Sequence, residues 1–194
     1  MSYQLSTPRL ILRDFRADDF DAIRAWEEHP EVQRYEHHAP TPEQTREQLR
    51  KLVEETARFP LLPEGKKGEL LRTSVRLAIT LPGDDTPIGR VSLRLNWAEI
   101  REWEIGWTLH PDHWGQGYAT EAARAMLELA FTRLNAHRVV AYTNFHNAPS
   151  VAVMRRLGMQ QDALLRETRW WNGAWADEYV FAILEREWKS ATSR

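Results

Sequence analysis

Nine consecutive residues, Trp114-Gly115-Gln116-Gly117-Tyr118-Ala119-Thr120-Glu121-Ala122, hold the clearest chemical signal in this chain. Two glycines and an alanine alternate with larger residues just before an apolar helical pattern. Such a segment reads as a loop feeding a helix start, where unpaired backbone N–H groups and the helix dipole favour an anion. Gly115 and Gly117 can take positive φ and let a ligand approach the backbone closely. A pyrophosphate is the natural guest. On its own, the pattern leaves an ordinary glycine-preceded helix equally open.

A second group is acidic. Glu102 and Glu104 stand two apart on a strand pattern and share a face with Gly106. They read either as a base beside a reacting centre or as a solvated strand face. His110 and His113 have a spacing that metal ligands use, but Pro111 and the predicted loop argue against a helical pair, and no metal is expected. His37-His38 reads as a solvated loop. The chain has no cysteine, which excludes a thiol nucleophile, a disulfide framework and thiolate metal sites. There is no G-x-S-x-G elbow, no P-loop lysine and no H-E-x-x-H.

The elements that must position these groups are legible in outline. Leu5 to Arg13 reads as a first strand, and Asp18-Asp19 offers an N-cap for a helix through Trp26. Thr41-Pro42-Glu43 opens a second helix, with Gln44 at the capping-box position, that runs to about Arg58. Pro60 to Gly68 reads as a loop. Strands over Ser74 to Leu81 and Ile88 to Trp97 flank the turn Pro82-Gly83-Asp84-Asp85, and Glu102 to Leu109 extends the meander. After the glycine loop, Ala123, Met126, Leu127, Ala130 and Phe131 recur at helical spacing as a buried stripe. Val139 to Tyr142 is a short strand, and Ala148 to Leu157 a helix ended by Gly158. Two long strands around Asn172-Gly173 close the chain. Antiparallel strands followed by a β-loop-α-β-α unit predict a mixed sheet with helices on both faces.

At 194 residues a single domain over 1–194 is expected. A formal charge of −2 gives no electrostatic case for nucleic acid. No apolar run is long enough to span a membrane and no signal-peptide pattern opens the chain, so a cytoplasmic protein is expected.

The order of elements, with the glycine loop between the fourth strand and the third helix, resembles the GNAT superfamily of N-acyltransferases. Four segments carry the resemblance. His110-Pro111-x-x-Trp114-Gly115-Gln116-Gly117-Tyr118-Ala119 is similar to the acyl-CoA pyrophosphate loop. Glu104-Ile105-Gly106-Trp107 is similar to the strand that lies along the pantetheine. Asn144-x-x-Asn147-x-x-Ser150, continuing to Leu157-Gly158-Met159, resembles the helix after the fifth strand. Thr7-Pro8-Arg9-Leu10-x-Leu12-Arg13 resembles the opening strand of the Rim-type ribosomal-protein N-terminal acetyltransferases. Two departures stand out: Trp114 begins the loop where a basic residue or glutamine is usual, and Met154 replaces the tyrosine that many members use as general acid. A thioether has no proton to give.

The resemblance implies an α/β fold of the α+β type, with a mostly antiparallel sheet of about seven strands splayed between the fourth and fifth to admit acetyl-CoA. It implies direct transfer of the acetyl group to a primary amine. An α-amine with pKa about 8 is roughly a tenth neutral at pH 7, whereas a lysine near 10.4 needs about 3 kcal/mol more help. Glu104 is the candidate base, with Glu102 or a water as alternatives. Ser150 is the candidate proton donor to the CoA thiolate, with an ordinary first-turn serine as the other reading. The co-substrate contacts fall on Trp107, Thr108 and Leu109, whose backbone N–H groups would also face the oxyanion, on Trp114, Gly115, Gln116, Gly117, Tyr118, Ala119 and Thr120, and on Asn147, which caps its helix or supports the CoA arm. The acceptor is a protein or peptide N-terminal α-amine, or else a small amine such as a polyamine, amino acid or antibiotic; an acyl-CoA sensor without turnover is a third reading. The nine tryptophans include Trp97, Trp103, Trp107, Trp170, Trp171 and Trp175 on strands that could border the acceptor groove; most read as core or interface residues, and some as lining of a cleft. A homodimer is compatible with the outer strands.

Overall fold

The computed structural model describes residues 3–35, 39–59 and 73–192. The pair His37-His38 and the loop expected over Pro60 to Gly68 lie outside the described residues. The element order is β1 (Gln4–Ser6), β2 (Ile11–Asp14), α1 (Phe20–Glu27), α2 (Pro30–Gln33), α3 (Pro42–Arg58), β3 (Ser74–Leu81), β4 (Asp84–Trp97), β5 (Glu102–Leu109), α4 (Tyr118–Thr132), β6 (Arg138–Asn144), α5 (Ala148–Arg156), β7 (Gln160–Trp171), β8 (Ala174–Leu184) and α6 (Glu185–Thr192). One sheet of eight strands runs β1-β2-β3-β4-β5-β6-β8-β7. Every pairing is antiparallel except β5 with β6.

The expected seven strands are eight because the first is broken in two. Pro8 has no N–H to give a ladder, and Thr7 turns the chain: its N–H donates to the Leu10 carbonyl at 2.9 Å while its Oγ1 accepts from the Leu10 N–H at 3.0 Å. The turn after β3 is also tighter than expected. Leu81 pairs with Asp84, leaving Pro82-Gly83 as the tip, with Gly83 at φ 85°. The short α2 and the closing α6 carry no periodic signal of their own. α2 starts on Pro30 with His29 Nδ1 accepting from the Glu31 N–H at 3.2 Å. α6 is anchored by Trp188, which stacks on Phe131 of α4 at 5.9 Å between ring centroids.

Strand periodicity sorts the two faces. On β3, Val75, Leu77 and Ile79 point to the face covered by α4 and α5, where they join Met126, Leu127, Ala130 and Met154 in the main core. Ala78 points the other way and packs with Phe15, Ile23, Trp26 and Leu49 beneath α1 and α3. Each large aliphatic side chain buried there contributes about 1.5–3 kcal/mol. The first face is therefore sealed. The second is covered only over part of its area, and that leaves room for a site.

Candidate active site

β5 pairs with β6 at Glu102↔Arg138, Trp103↔Val139 and Glu104↔Val140, and the ladder stops there. β5 continues to Leu109 and β6 to Asn144, so the two parallel strands diverge beyond Glu104. This is the splay expected between the fourth and fifth strands. It opens a cleft of about 320 Å³ through the middle of the sheet.

Of the residues singled out in the sequence, Glu104, Trp107, Thr108, Asn147 and Ser150 line this cleft together. Glu104 comes from β5 and is held by an ion pair to Arg94 on β4, its cross-strand partner. Ser150 comes from the first turn of α5, across the splay. Its N–H donates to Asn147 Oδ1 at 3.1 Å, so Asn147 caps the helix and lines the cleft at once. Glu102 behaves differently although it lies only two residues from Glu104. It is 7% exposed, and its oxygens accept from Asn96 Nδ2 at 2.5 Å and Arg138 Nε at 2.6 Å. The cause is a register shift in β4 between Leu95 and Trp97, which brings Trp97 opposite Glu102, together with the parallel neighbour Arg138.

At the other end of β5 the glycine loop takes the form its sequence predicts. Pro111–His113 makes one 3-10 turn, Gly115 sits at φ 75°, and Gly117 at φ 80° is the N-cap of α4. A glycine cap offers no side chain to the first-turn N–H groups of Tyr118, Ala119 and Thr120. Thr120 Oγ1 is buried and without a hydrogen-bond partner among the described residues. An anion with several oxygens fits a cradle of this kind. Leu109 is buried in the core rather than in the cleft, and its carbonyl accepts from Trp114 Nε1 at 2.9 Å, fixing the indole at the head of the loop.

Sequence reasoning missed several participants. Arg9 braces the loop: it donates to the Gln116 carbonyl at 2.9 Å, bonds Glu121 through Nε at 2.7 Å, and lies over the Tyr118 ring. Thr7 Oγ1 also donates to Glu121 at 2.7 Å. Burial pushes the Glu121 carboxyl up, but the Thr7 and Arg9 hydrogen bonds outweigh it and hold the group below its ordinary value. Tyr142 lines the cleft, and burial together with the Glu102 and Glu104 charges raises its phenol above the usual value. Asn144 is 2% exposed, with Nδ2 unpartnered at the cleft wall. Gly89 on β4 is required by close approach, since a Cβ there would run into the Thr108 carbonyl oxygen. Its only sequence signal is a glycine inside a strand pattern.

Of the six tryptophans on strands expected to border a groove, most of them read as core or interface residues, Trp107 lines the cleft. Trp103 is core, Trp171 donates to the Arg34 carbonyl at 2.7 Å, and Trp97, Trp170 and Trp175 are exposed. His110 Nδ1 accepts from the Asp112 N–H at 3.3 Å and caps the 3-10 turn. Among the described residues no group of three or more His, Asp or Glu side chains is placed to hold a metal ion. No helix among them is long and apolar enough to cross a membrane.

A strand splay ending at a glycine-capped helix defines a class, and comparison with known proteins agrees with it. Residues 9–160 match the family model described as the acetyltransferase (GNAT) domain, and the chain belongs to that family. It is an acetyl-CoA-dependent N-acetyltransferase. Among named relatives, it is 30% identical over 184 residues to an uncharacterized N-acetyltransferase of Bacillus subtilis, YnaD, covering 95% of this chain and 98% of that one. A GNAT acetyltransferase structure from Bacillus anthracis superimposes with a TM-score of 0.77 at 27% identity, covering 95% of this chain and 99% of the other. The fold is shared with the ribosomal-protein-S5-alanine acetyltransferase of Vibrio fischeri, at TM-score 0.78 and 18% identity over 96% and 98% of the two chains. It is shared as well with RimL, a ribosomal L7/L12 α-N-protein acetyltransferase solved with coenzyme A, at TM-score 0.77 and 17% identity over 94% and 98%.

Proposed function

We propose that this chain, acting as one acetyltransferase domain over 1–194, acetylates the N-terminal α-amine of a protein or peptide. The observation that carries the reading is the meeting of Glu104 and Ser150 in one open cleft at the point where β5 and β6 part. The fold shared with two ribosomal-protein acetyltransferases supports it. When bound, acetyl-CoA supplies a thioester carbonyl as electrophile.

The chain's own residues do the rest. The first-turn N–H groups of α4, those of Tyr118, Ala119 and Thr120, hold the pyrophosphate, and Arg9 braces the loop. Backbone N–H groups along Trp107 to Leu109 orient the arm and meet the charge that develops on the carbonyl oxygen. Glu104 attracts the ammonium form of the acceptor and takes one proton, directly or through one water, so that the free amine bonds to the acetyl carbon. As the C–S bond breaks, Ser150 gives its proton to the sulfur and takes in exchange the second proton shed by the nitrogen. Tyr142, kept protonated by its surroundings, is a second donor within the same cleft.

The test is incubation of the purified chain with isotope-labelled acetyl-CoA and a cell extract, followed by mass spectrometry of protein and small-molecule fractions. Label on protein N-terminal α-amines is the expected result. Label confined to small amines keeps the chemistry and overturns the acceptor. Binding of acetyl-CoA with no transfer to any acceptor overturns the catalytic reading altogether.

A further inference from the structure

The cleft floor follows three cross-strand rows on β3, β4 and β5: Ser74–Arg94–Glu104, Arg76–Ser92–Gly106, and Arg90–Thr108, the last extended on β3 by the buried Ala78. All lie on the face away from α4. In the first row the Arg94 charge is answered by Glu104. The other two rows each hold an arginine that no described carboxylate answers. Among the described residues no carboxylate comes within ion-pair distance of Arg76 or Arg90, although both line the cleft. They are diagonal neighbours across the β3–β4 ladder, with backbones about 7–8 Å apart. Burial and the adjacent Arg90 charge both push the Arg76 guanidinium below its ordinary proton affinity, with Glu55 and Glu27 acting weakly the other way. Glu27 is already engaged by Arg24 and by the Thr45 hydroxyl.

Two half-buried charges of one sign, side by side and unpaired, are costly to the fold. The arrangement makes sense when a ligand brings the missing anion. Arginine suits this role because its planar fork matches a carboxylate with two parallel hydrogen bonds.

We propose that Arg76 and Arg90 form an anion subsite of the acceptor cleft, so that the favoured acceptor carries a carboxylate close to the amine it presents to Glu104. The inference rests on the reading of this cleft as the acceptor site. The cleft is then dipolar: Glu104 takes the cationic end of the acceptor and the arginine pair takes the anionic end. β3 and β5 lie two strands apart, about 10 Å at the backbone, and the long arginine side chains shorten that span. A carboxylate within a few bonds to one residue of the amine fits. It comes either from an acidic side chain at the second or third residue of a peptide or from the free carboxylate of a small amino acid.

The experiment uses the full chain with acetyl-CoA and matched acceptor pairs. Peptides beginning Ser-Glu or Ser-Ala-Glu are compared with Ser-Gln or Ser-Ala-Gln, and small amino-carboxylates with their carboxamides. The carboxylate member of at least one set is expected to show kcat/KM higher by about tenfold or more, and the set that responds identifies the source. Arg76→Gln and Arg90→Gln should each lower the carboxylate member far more than its carboxamide, and Arg76→Lys should restore part of the preference. Equal kcat/KM within every pair, or equal loss for both members in the variants, overturns the proposal. A loss of acetyl-CoA affinity in either variant assigns the arginines to the co-substrate and overturns it too. Absence of transfer to any acceptor is a failure of the catalytic reading instead. Calorimetric binding of the same pairs to CoA-loaded protein then decides the subsite by itself: tighter binding of the carboxylates supports it, and equal binding removes it.

Discussion

The two faces of the central sheet are built from the same strands to opposite ends. Toward α4 and α5, β3 offers Val75, Leu77 and Ile79, all fully buried in one continuous core. Toward α1 and α3 it offers Ser74, Arg76 and Ala78, of which only Ala78 is sealed in. The alternation continues on β4, with Val91 and Leu93 against Arg90, Ser92 and Arg94. A period-2 strand lets one face hold the fold while the other tolerates ionic and polar groups in a half-covered cleft. Stability and chemistry are thereby assigned to alternate residues, and substitutions one residue apart should separate them.

Glu104→Gln is expected to have the largest effect on activity, lowering kcat/KM about 10²- to 10⁴-fold, most strongly at low pH where the amine needs a base. Its partner Arg94 is exposed, so the urea midpoint should barely move. A loss that is flat across pH would move the base to water. Leu77→Ala, on the opposite face, should cost about 2–5 kcal/mol of stability in equilibrium unfolding, while the folded fraction keeps its kcat. If kcat falls in step with stability, the two faces are not separable. Ser150→Ala is expected to lower kcat by about tenfold, at the weak end of general-acid effects because a thiolate is a fair leaving group. A loss as large as that of Glu104→Gln would make Ser150 the dominant donor, and none at all would pass the role to Tyr142.

The smallest effect belongs to Glu121, which ties the Thr7–Leu10 turn to α4 and belongs to neither face. Its folded value is depressed, so its contribution is present above the ordinary carboxylate range and is lost as pH falls through the depressed value. Glu121→Gln should cost about 1 kcal/mol at pH 7. The gap to the wild type should close progressively below about pH 4.3 in thermal unfolding.

Much of this was legible wherever a signal is local. The helix over Pro42–Arg58 has both its ends as expected, because Thr41 and Gln44 make a reciprocal cap that the sequence spells out. The closing hairpin turns at Asn172 and Gly173, both at positive φ. The glycine loop and its helix start follow from residue types alone. What stayed hidden depends on register between distant strands. Parity puts Glu102 and Glu104 on one face, but only the shift in β4 and the arrival of Arg138 from β6 make one a buried structural carboxylate and leave the other in the cleft, paired with the exposed Arg94. Arg76 and Arg90 look like solvated strand residues until β3 and β4 are paired. Arg9 meets the glycine loop across 107 positions of chain, a distance no local pattern reports.

The splay between β5 and β6 has a consequence for the protein before any co-substrate arrives. Among the described residues, Ile105 to Leu109 and Ala141 to Asn144 each leave one side of the backbone without a ladder partner. They form two facing edges inside a sheet rather than at its rim. Open edges are templates for any extended chain, so the empty protein is its own aggregation hazard. In the proposed binding mode the co-substrate arm takes the place of a missing strand. Its stabilisation should grow with the logarithm of its concentration, and storage with coenzyme A should keep preparations monodisperse that clump without it.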